Sequence, residues 1–93
     1  MSSLYKSKRW KLKRARILRR DEYQCRQCRR YGKTTAAVTV HHVHPLEQRP
    51  GLALVSWNLI SLCNKCHDGM HDRVNGGLTK LGMEWVERVS PHL

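Results

Sequence analysis

Apolar positions along the chain change period three times. From Lys6 to Arg20 there is no Gly or Pro, helix formers dominate, and Trp10, Leu12, Ala15, Ile17 and Leu18 make a partial stripe. That stretch predicts a helix docked mainly through Trp10, Ile17 and Leu18, with residues 1–5 frayed ahead of it. Between Ala36 and Val43 the residues are β-branched and roughly alternating, which predicts a strand running into His41-His42 and ended by Pro45. After a loop holding Pro50-Gly51, Ser56 or Asn58 is placed to cap a helical segment that begins near Trp57 or Leu59. Past a Gly76-Gly77 hinge, Leu78, Leu81, Trp85, Val86 and Val89 fall at i, i+3, i+7, i+8 and i+11, an amphipathic helix. Glu84 and Arg88 support it as an i,i+4 pair and Gly82 weakens it. Its expected task is to cover the core. There are no internal repeats and no low-complexity segment.

Composition changes this picture by limiting the core. At 93 residues without Phe, and with three Trp and three Tyr, one small domain has little large apolar surface to bury. A structural metal is a plausible staple, because zinc binding contributes on the order of 10–16 kcal/mol that doubles as folding energy. Charge is just as uneven. The net charge is +11, and all of it falls in residues 1–33, since the remaining residues balance. Such segregation points to a polyanion as partner of the N-terminal third. No apolar run approaches the roughly 18 residues of a membrane span, and the basic N-terminus lacks the apolar centre of a secretory signal. An intracellular, cytoplasmic location is the expectation, and in a reducing compartment four Cys in two Cys-x-x-Cys pairs are metal ligands before they are disulfides.

Cys25-x-x-Cys28 and Cys63-x-x-Cys66 can each chelate one tetrahedral Zn²⁺ through thiolates, and four thiolates close the coordination sphere. The site they make should be structural, pinning the basic third to the segment after Asn58. If residues 66–71 are helical, His67 and His71 lie one above the other on one face, within reach of a single second ion, while Cys66 points about 100° away. The His41-His42 pair is available to complete that second site. A Cys₂His₂ finger from Cys25, Cys28, His67 and His71 fits poorly, because the chain between Cys28 and His67 is far longer than the roughly 12 residues of such a finger.

Val40-His41-His42-Val43-His44-Pro45, then Asn58-Leu59, then Leu62-Cys63-Asn64-Lys65-Cys66-His67 and a closing His71 resemble the HNH endonuclease family, also called His-Me finger nucleases. The lead-in Arg20-Asp21-Glu22-Tyr23-Gln24-Cys25-Arg26-Gln27-Cys28 is similar to the zinc-bearing region of phage and bacterial members. The resemblance covers roughly residues 10–73. It implies a small α+β fold: a ββα-metal core with a Cys₄ zinc site and a basic N-terminal helix, residues 1–9 being flexible and 74–93 forming a C-terminal helix and tail.

The resemblance further implies that His41, His67 and His71 hold a catalytic divalent ion, that His42 is the general base, and that Asn58 hydrogen-bonds across the unit to hold the His42 loop. Three protein ligands leave positions open for water and phosphate, and an imidazole is a suitable base at neutral pH. With His at position 41, where many relatives have Asp, the ion is Zn²⁺, Ni²⁺ or Mn²⁺ in preference to Mg²⁺, which favours oxygen. His44 and His92 are read as surface or packed residues. Lys13, Arg14, Arg16, Arg19, Arg20, Arg26, Arg29 and Arg30 are expected to grip backbone phosphates of double-stranded DNA without reading bases. The expected activity is nicking or cutting of DNA with weak sequence preference, leaving 5′-phosphate and 3′-hydroxyl ends. Two alternatives are a zinc-stabilised DNA-binding module that cuts nothing, and an accessory subunit docked on a larger machine such as a phage packaging terminase.

Overall fold

The computed structural model describes residues 3–91; His92 lies outside them. The N-terminal helical region is two helices, α1 (Ser3–Lys6) and α2 (Lys8–Arg20). The break falls on Ser7, whose hydroxyl donates to the Leu4 carbonyl (2.7 Å) and accepts from the Trp10 amide (3.1 Å), a Ser N-cap that starts a new helix where a continuous one was expected. Residues 3–5, expected to fray, belong to α1. Helix α2 buries Trp10, Ile17 and Leu18, the three residues expected to dock it.

Glu22 and Tyr23 follow in the left-handed region at φ 56° and 58°, and they turn the chain into α3 (Arg26–Arg30). Strand β1 is Thr39–His42, shorter than the predicted Ala36–Val43, because Ala36 bridges to Gln24 instead. The predicted helix from Trp57 or Leu59 is absent. Ser56–Asn58 is one 3₁₀ turn, and Leu59–Leu62 is a second strand, β2, antiparallel to β1 with His41 opposite Ile60 and His42 opposite Leu59. The Asn58 side chain caps nothing and bonds across to the β1 end. A four-residue run with three apolar residues carries no period that tells strand from helix.

Alternation along the two strands sorts the interior. Leu59 and Val40 face α2, in a cluster with Trp10, Ile17 and Leu18. Ile60, Leu62 and Val43 face the other way, with Cys25, Met70 and Trp85. Buried Asp21 ties α2 to the sheet by accepting from the Ser61 amide (3.0 Å) and from Arg20 Nε (2.8 Å).

Helix α4 (Asn64–Asp68) is only five residues long and stops before His71, so the helix imagined over 66–71 is corrected to one turn and a loop. Gly69 ends it, Met70 plugs the core, and His71 bridges to Leu78. Helix α5 (Lys80–Val89) begins at Thr79, whose hydroxyl accepts from the Gly82 amide (3.2 Å). Its apolar stripe packs on the core, with Trp85 buried and its indole N–H donated to Gln27 on α3 (2.8 Å). Gly82 is required there: a Cβ would stand 2.6 Å from the Met70 carbonyl oxygen. Among the described residues no helix is long and apolar enough to cross a membrane.

Candidate active site and metal centres

Each Cys-x-x-Cys pair straddles the start of a short helix. Cys25 and Cys63 are the residues before α3 and α4, and Cys28 and Cys66 lie in their first turns. The four sulfurs all lie within 4.8 Å of one another, and no disulfide links them. Cys28 Sγ and Cys66 Sγ are 3.7 Å apart; a tetrahedron with metal–sulfur bonds of about 2.3 Å has edges of about 3.8 Å. Burial pushes the Cys25 thiol up, and burial with the neighbouring cysteines pushes Cys66 up. Cys63 goes down despite some burial, because hydrogen bonds from Cys66 and the other thiols favour its thiolate. Such a donor set suits Zn²⁺.

The second centre draws on three elements. His41 comes from β1, His67 from α4, and His71 from the loop beyond. Their rings meet edge to face with each pair of centroids 5.1 Å apart, and one nitrogen from each lies within 4.8 Å of the others. His41 Nε2 is buried without a hydrogen-bond partner among the described residues. Burial, then the facing His67 and His71 and the adjacent His42, push the His41 pKa down to about 3, so its ring is neutral with a lone pair to give. Burial, then His71, also lowers His67. An orphaned buried imidazole nitrogen beside two further imidazoles fits a divalent cation.

His42 follows His41 but points to the opposite face of the strand, as a period of two requires. Its ring stacks on Trp10 at 4.9 Å and 21°, with Tyr5 edge-on at 6.1 Å. Its Nε2 lies 3.0 Å from the Ala53 carbonyl. A carbonyl only accepts, so Nε2 carries the proton and the neutral ring keeps its lone pair on Nδ1. Burial lowers the His42 pKa, with the Ala53 bond opposing. Both His41 and His42 nevertheless line one cleft of about 300 Å³, together with Tyr5, Glu47, His67 and His71.

Fully buried Asn58 braces this arrangement. Its Oδ1 accepts from the His44 amide (2.7 Å), and its Nδ2 donates to the carbonyls of His44 and Leu52 (3.3 Å each). It thus joins the chain just after His42 to the chain just before Ala53, the carbonyl that holds His42. His44 itself is packed, with its ring edge-on to Trp57 (5.7 Å) and Nε2 2.7 Å from Ser90 Oγ.

The expected phosphate grips divide into two groups. Arg16, Arg19 and Arg30 are exposed. Lys13 reaches Ser56 Oγ (2.6 Å) and Arg14 the Val38 carbonyl (3.0 Å). Arg20 is used inside the protein, binding Asp21 and the carbonyls of Ser56 and Leu59, and Arg29 pairs with Glu22 (2.8 Å). The sequence reading missed the contacts of Trp10 and Tyr5 with His42 and the Ala53 carbonyl. Trp10 was visible only as a core residue, and a backbone carbonyl has no signature in sequence.

The HNH endonuclease family model matches residues 25–73, the span that carries both clusters, His42 and Asn58. No curated protein sequence matches the chain. Among solved structures, the chain is similar to the HNH endonuclease of the deep-sea thermophilic bacteriophage GVE2, crystallised with manganese ion, at 38% identity and a TM-score of 0.70, covering 71% of this chain and 72% of that one. With its ββα core, its two ligand clusters and these two matches in agreement, the chain belongs to the HNH endonuclease family.

Proposed function

We propose that this nuclease is a divalent-metal-dependent enzyme that hydrolyses phosphodiester bonds of double-stranded DNA, one strand per event, with weak sequence preference. The observation that carries the reading is the convergence of His41, His67 and His71, with His41 Nε2 unpaired, in a cleft that also takes in a neutral His42 of defined tautomer. In this reading Cys25, Cys28, Cys63 and Cys66 hold a structural Zn²⁺, and the three His hold the catalytic ion. That ion, when bound, supplies Lewis-acid stabilisation of charge on the phosphate and the departing 3′ oxygen. An all-imidazole set suits Zn²⁺, Ni²⁺ or Mn²⁺ better than Mg²⁺. Manganese in the similar phage endonuclease makes Mn²⁺ the first ion to test.

His42 acts as general base. The Ala53 carbonyl retains the Nε2 proton, so Nδ1 accepts the proton of the attacking water. Trp10, stacked flat on the ring, restricts its rotation. Asn58 is a positioning residue, holding the backbone on both sides of the base. Lys13, Arg14, Arg16, Arg19, Arg26 and Arg30 contact backbone phosphates, and Arg20 and Arg29 contribute less because acidic or carbonyl partners already take their donors. The site of action is the cytoplasm, that of the host if the chain is phage-encoded. A protein partner such as a packaging terminase would have to dock elsewhere than on the apolar stripe of α5, which the core uses.

Incubating supercoiled plasmid with the zinc-loaded protein and a panel of divalent ions tests the reading. His42→Ala should fold, keep its metal and cut about 10²–10⁴-fold more slowly, with partial rescue by added imidazole. Nicking by His42→Ala at the wild-type rate in the preferred ion would refute the assignment of the base.

A further inference from the structure

A second recess lies apart from the histidine cleft and shares none of its lining residues. It encloses about 520 Å³ between α3, α5 and the Ser56–Asn58 turn, and four arginines with Trp57 and Trp85 line it. No carboxylate is among its lining residues. The guanidinium carbons of Arg26, Arg30 and Arg88 lie 5.4, 5.7 and 5.7 Å from the centre of the Trp85 ring, and none of the three forms an ion pair among the described residues. Arg29, the fourth, is already paired with Glu22. One cation would suffice to cover an indole; three around one ring repel each other until an anion joins them.

We propose that this recess binds one unpaired nucleotide of the DNA substrate, its phosphate among Arg26, Arg30 and Arg88 and its base against Trp57. This rests on the reading of the chain as acting on DNA and adds a substrate class to it: duplex carrying a single-stranded arm. Recessed aromatic and guanidinium surfaces are what unpaired bases stack on, whereas phosphates of an intact duplex are contacted by protruding side chains and cannot carry a paired base into a pocket. The volume falls within the roughly 300–1,000 Å³ of small-ligand sites. Trp57 is half-buried and its ring is braced edge-on by His44, two residues beyond the base His42, so the recess and the catalytic loop share one support.

The test is binding of the full-length, zinc-loaded protein to a labelled blunt duplex and to the same duplex with an unpaired arm at either end, followed by fluorescence anisotropy without added catalytic ion. The armed duplex should bind about tenfold tighter, the scale of one base–aromatic stack. Arg88→Gln should remove that preference and lower the log–log salt slope for the armed duplex by about 0.7, one single-strand phosphate. Trp57→Leu should remove the preference and leave the slope; because Trp57 also supports His44, exposed Arg88 is the variant that decides if Trp57→Leu fails to fold. Equal affinity of the wild type for both duplexes, or a preference that survives Arg88→Gln, overturns the proposal. So does displacement of the armed duplex by an acidic peptide as readily as by an oligonucleotide of equal charge, which would make the recess a protein-docking site. A protein that binds armed duplex in this way but cuts nothing would sink the nuclease mechanism and leave the recess standing, and the converse result would do the reverse.

Discussion

Replacing Asn58 separates its two tasks. In Asn58→Ala all three side-chain hydrogen bonds disappear: the short one from the His44 amide (2.7 Å) and the two long ones to the carbonyls of His44 and Leu52 (3.3 Å each). A short bond to a partly buried group is worth about 1.5 kcal/mol and a long one about 0.5, and the space left by a fully buried amide adds about 1 more. A loss of about 3.5 kcal/mol lowers the unfolding midpoint of a domain this size by about 14–28 °C. Activity should fall further than stability explains at a temperature where the variant is folded. Leu52 precedes Ala53, and the Ala53 carbonyl holds His42; a displacement of about 1 Å there can cost about 10²-fold in rate.

Asn58→Asp distinguishes the accepted bond from the donated ones. The carboxylate still accepts from His44 N–H, but its second oxygen then faces two carbonyls and repels them unless it is protonated. Buried without a cation, it has a folded pKa above the unfolded value of about 3.9. The sign follows: its stability relative to Asn58 is best below that unfolded value and is lost as pH rises through the folded one, about 1.4 kcal/mol per unit of pKa difference. Thermal melts of wild type and both variants between pH 4 and 8, with single-turnover nicking at 25 °C, check both parts. An Asn58→Ala protein with the wild-type midpoint and wild-type rate would refute the bracing role, and a pH-independent gap between Asn58→Asp and wild type would refute the repulsion.

Other consequences are more compact. Cys28→Ser should release tightly held zinc and unfold at ordinary temperature, because the sulfurs of Cys28 and Cys66 are the direct link between α3 and α4; circular dichroism and metal analysis read this out, and a folded variant retaining one zinc in the cluster contradicts it. Gly82→Ala should destabilise by about 2 kcal/mol: relief of a 2.6 Å contact with the Met70 carbonyl costs about 3, and the gain in helix propensity returns about 1. A raised melting midpoint for that variant would mean that α5 has room to move. Single-turnover cutting should rise with pH and level off, with its midpoint below the ordinary histidine value of about 6.5. Burial lowers both His42, the proposed base, and His67, a proposed ligand, and each must be neutral to act in those roles, so a midpoint above 7 would contradict the assignment.

How far the fold could be read from the sequence depended on whether an element carried its own chemistry. The Cys-x-x-Cys pairs named the four cysteines and the His spacing paired His67 with His71, because ligand type and short spacing survive any local error in secondary structure, whereas His41 in preference to His42 came from the family resemblance. His67 and His71 meet although His71 is outside the helix that was expected to align them. By contrast Leu59–Leu62 read as helix, since its strand character comes from pairing with Thr39–His42 and burial on both faces, which are properties of the partner. Gly82 read as a weakness for the same reason: the Met70 carbonyl that forbids a side chain there comes from another part of the chain. Arg20 read as one more phosphate contact in a basic run, and only the fold brings Asp21 and the carbonyls of Ser56 and Leu59 around it.

The two clusters share helix α4, so ligation at one and ligation at the other favour each other by the same free energy in each direction. Helix α4 is five residues long and holds Cys66 and His67 side by side, and a helix of that length does not persist without outside support. Cys66 Sγ lies within 4.8 Å of the sulfurs of Cys25, Cys28 and Cys63, so an ion held by the four would fix the direction in which His67 points. His41 is held independently by the β1–β2 ladder. Loss of an ion from the cysteines should therefore loosen His67 and weaken metal binding at the three histidines, whereas His67→Ala should leave the cysteine cluster and the fold intact. Strand alternation supplies the other half of the design. His41 and His42 are adjacent in sequence yet face opposite sides of β1, so one joins His67 and His71 while the other stands on Trp10 under the Ala53 carbonyl, and neither can replace the other.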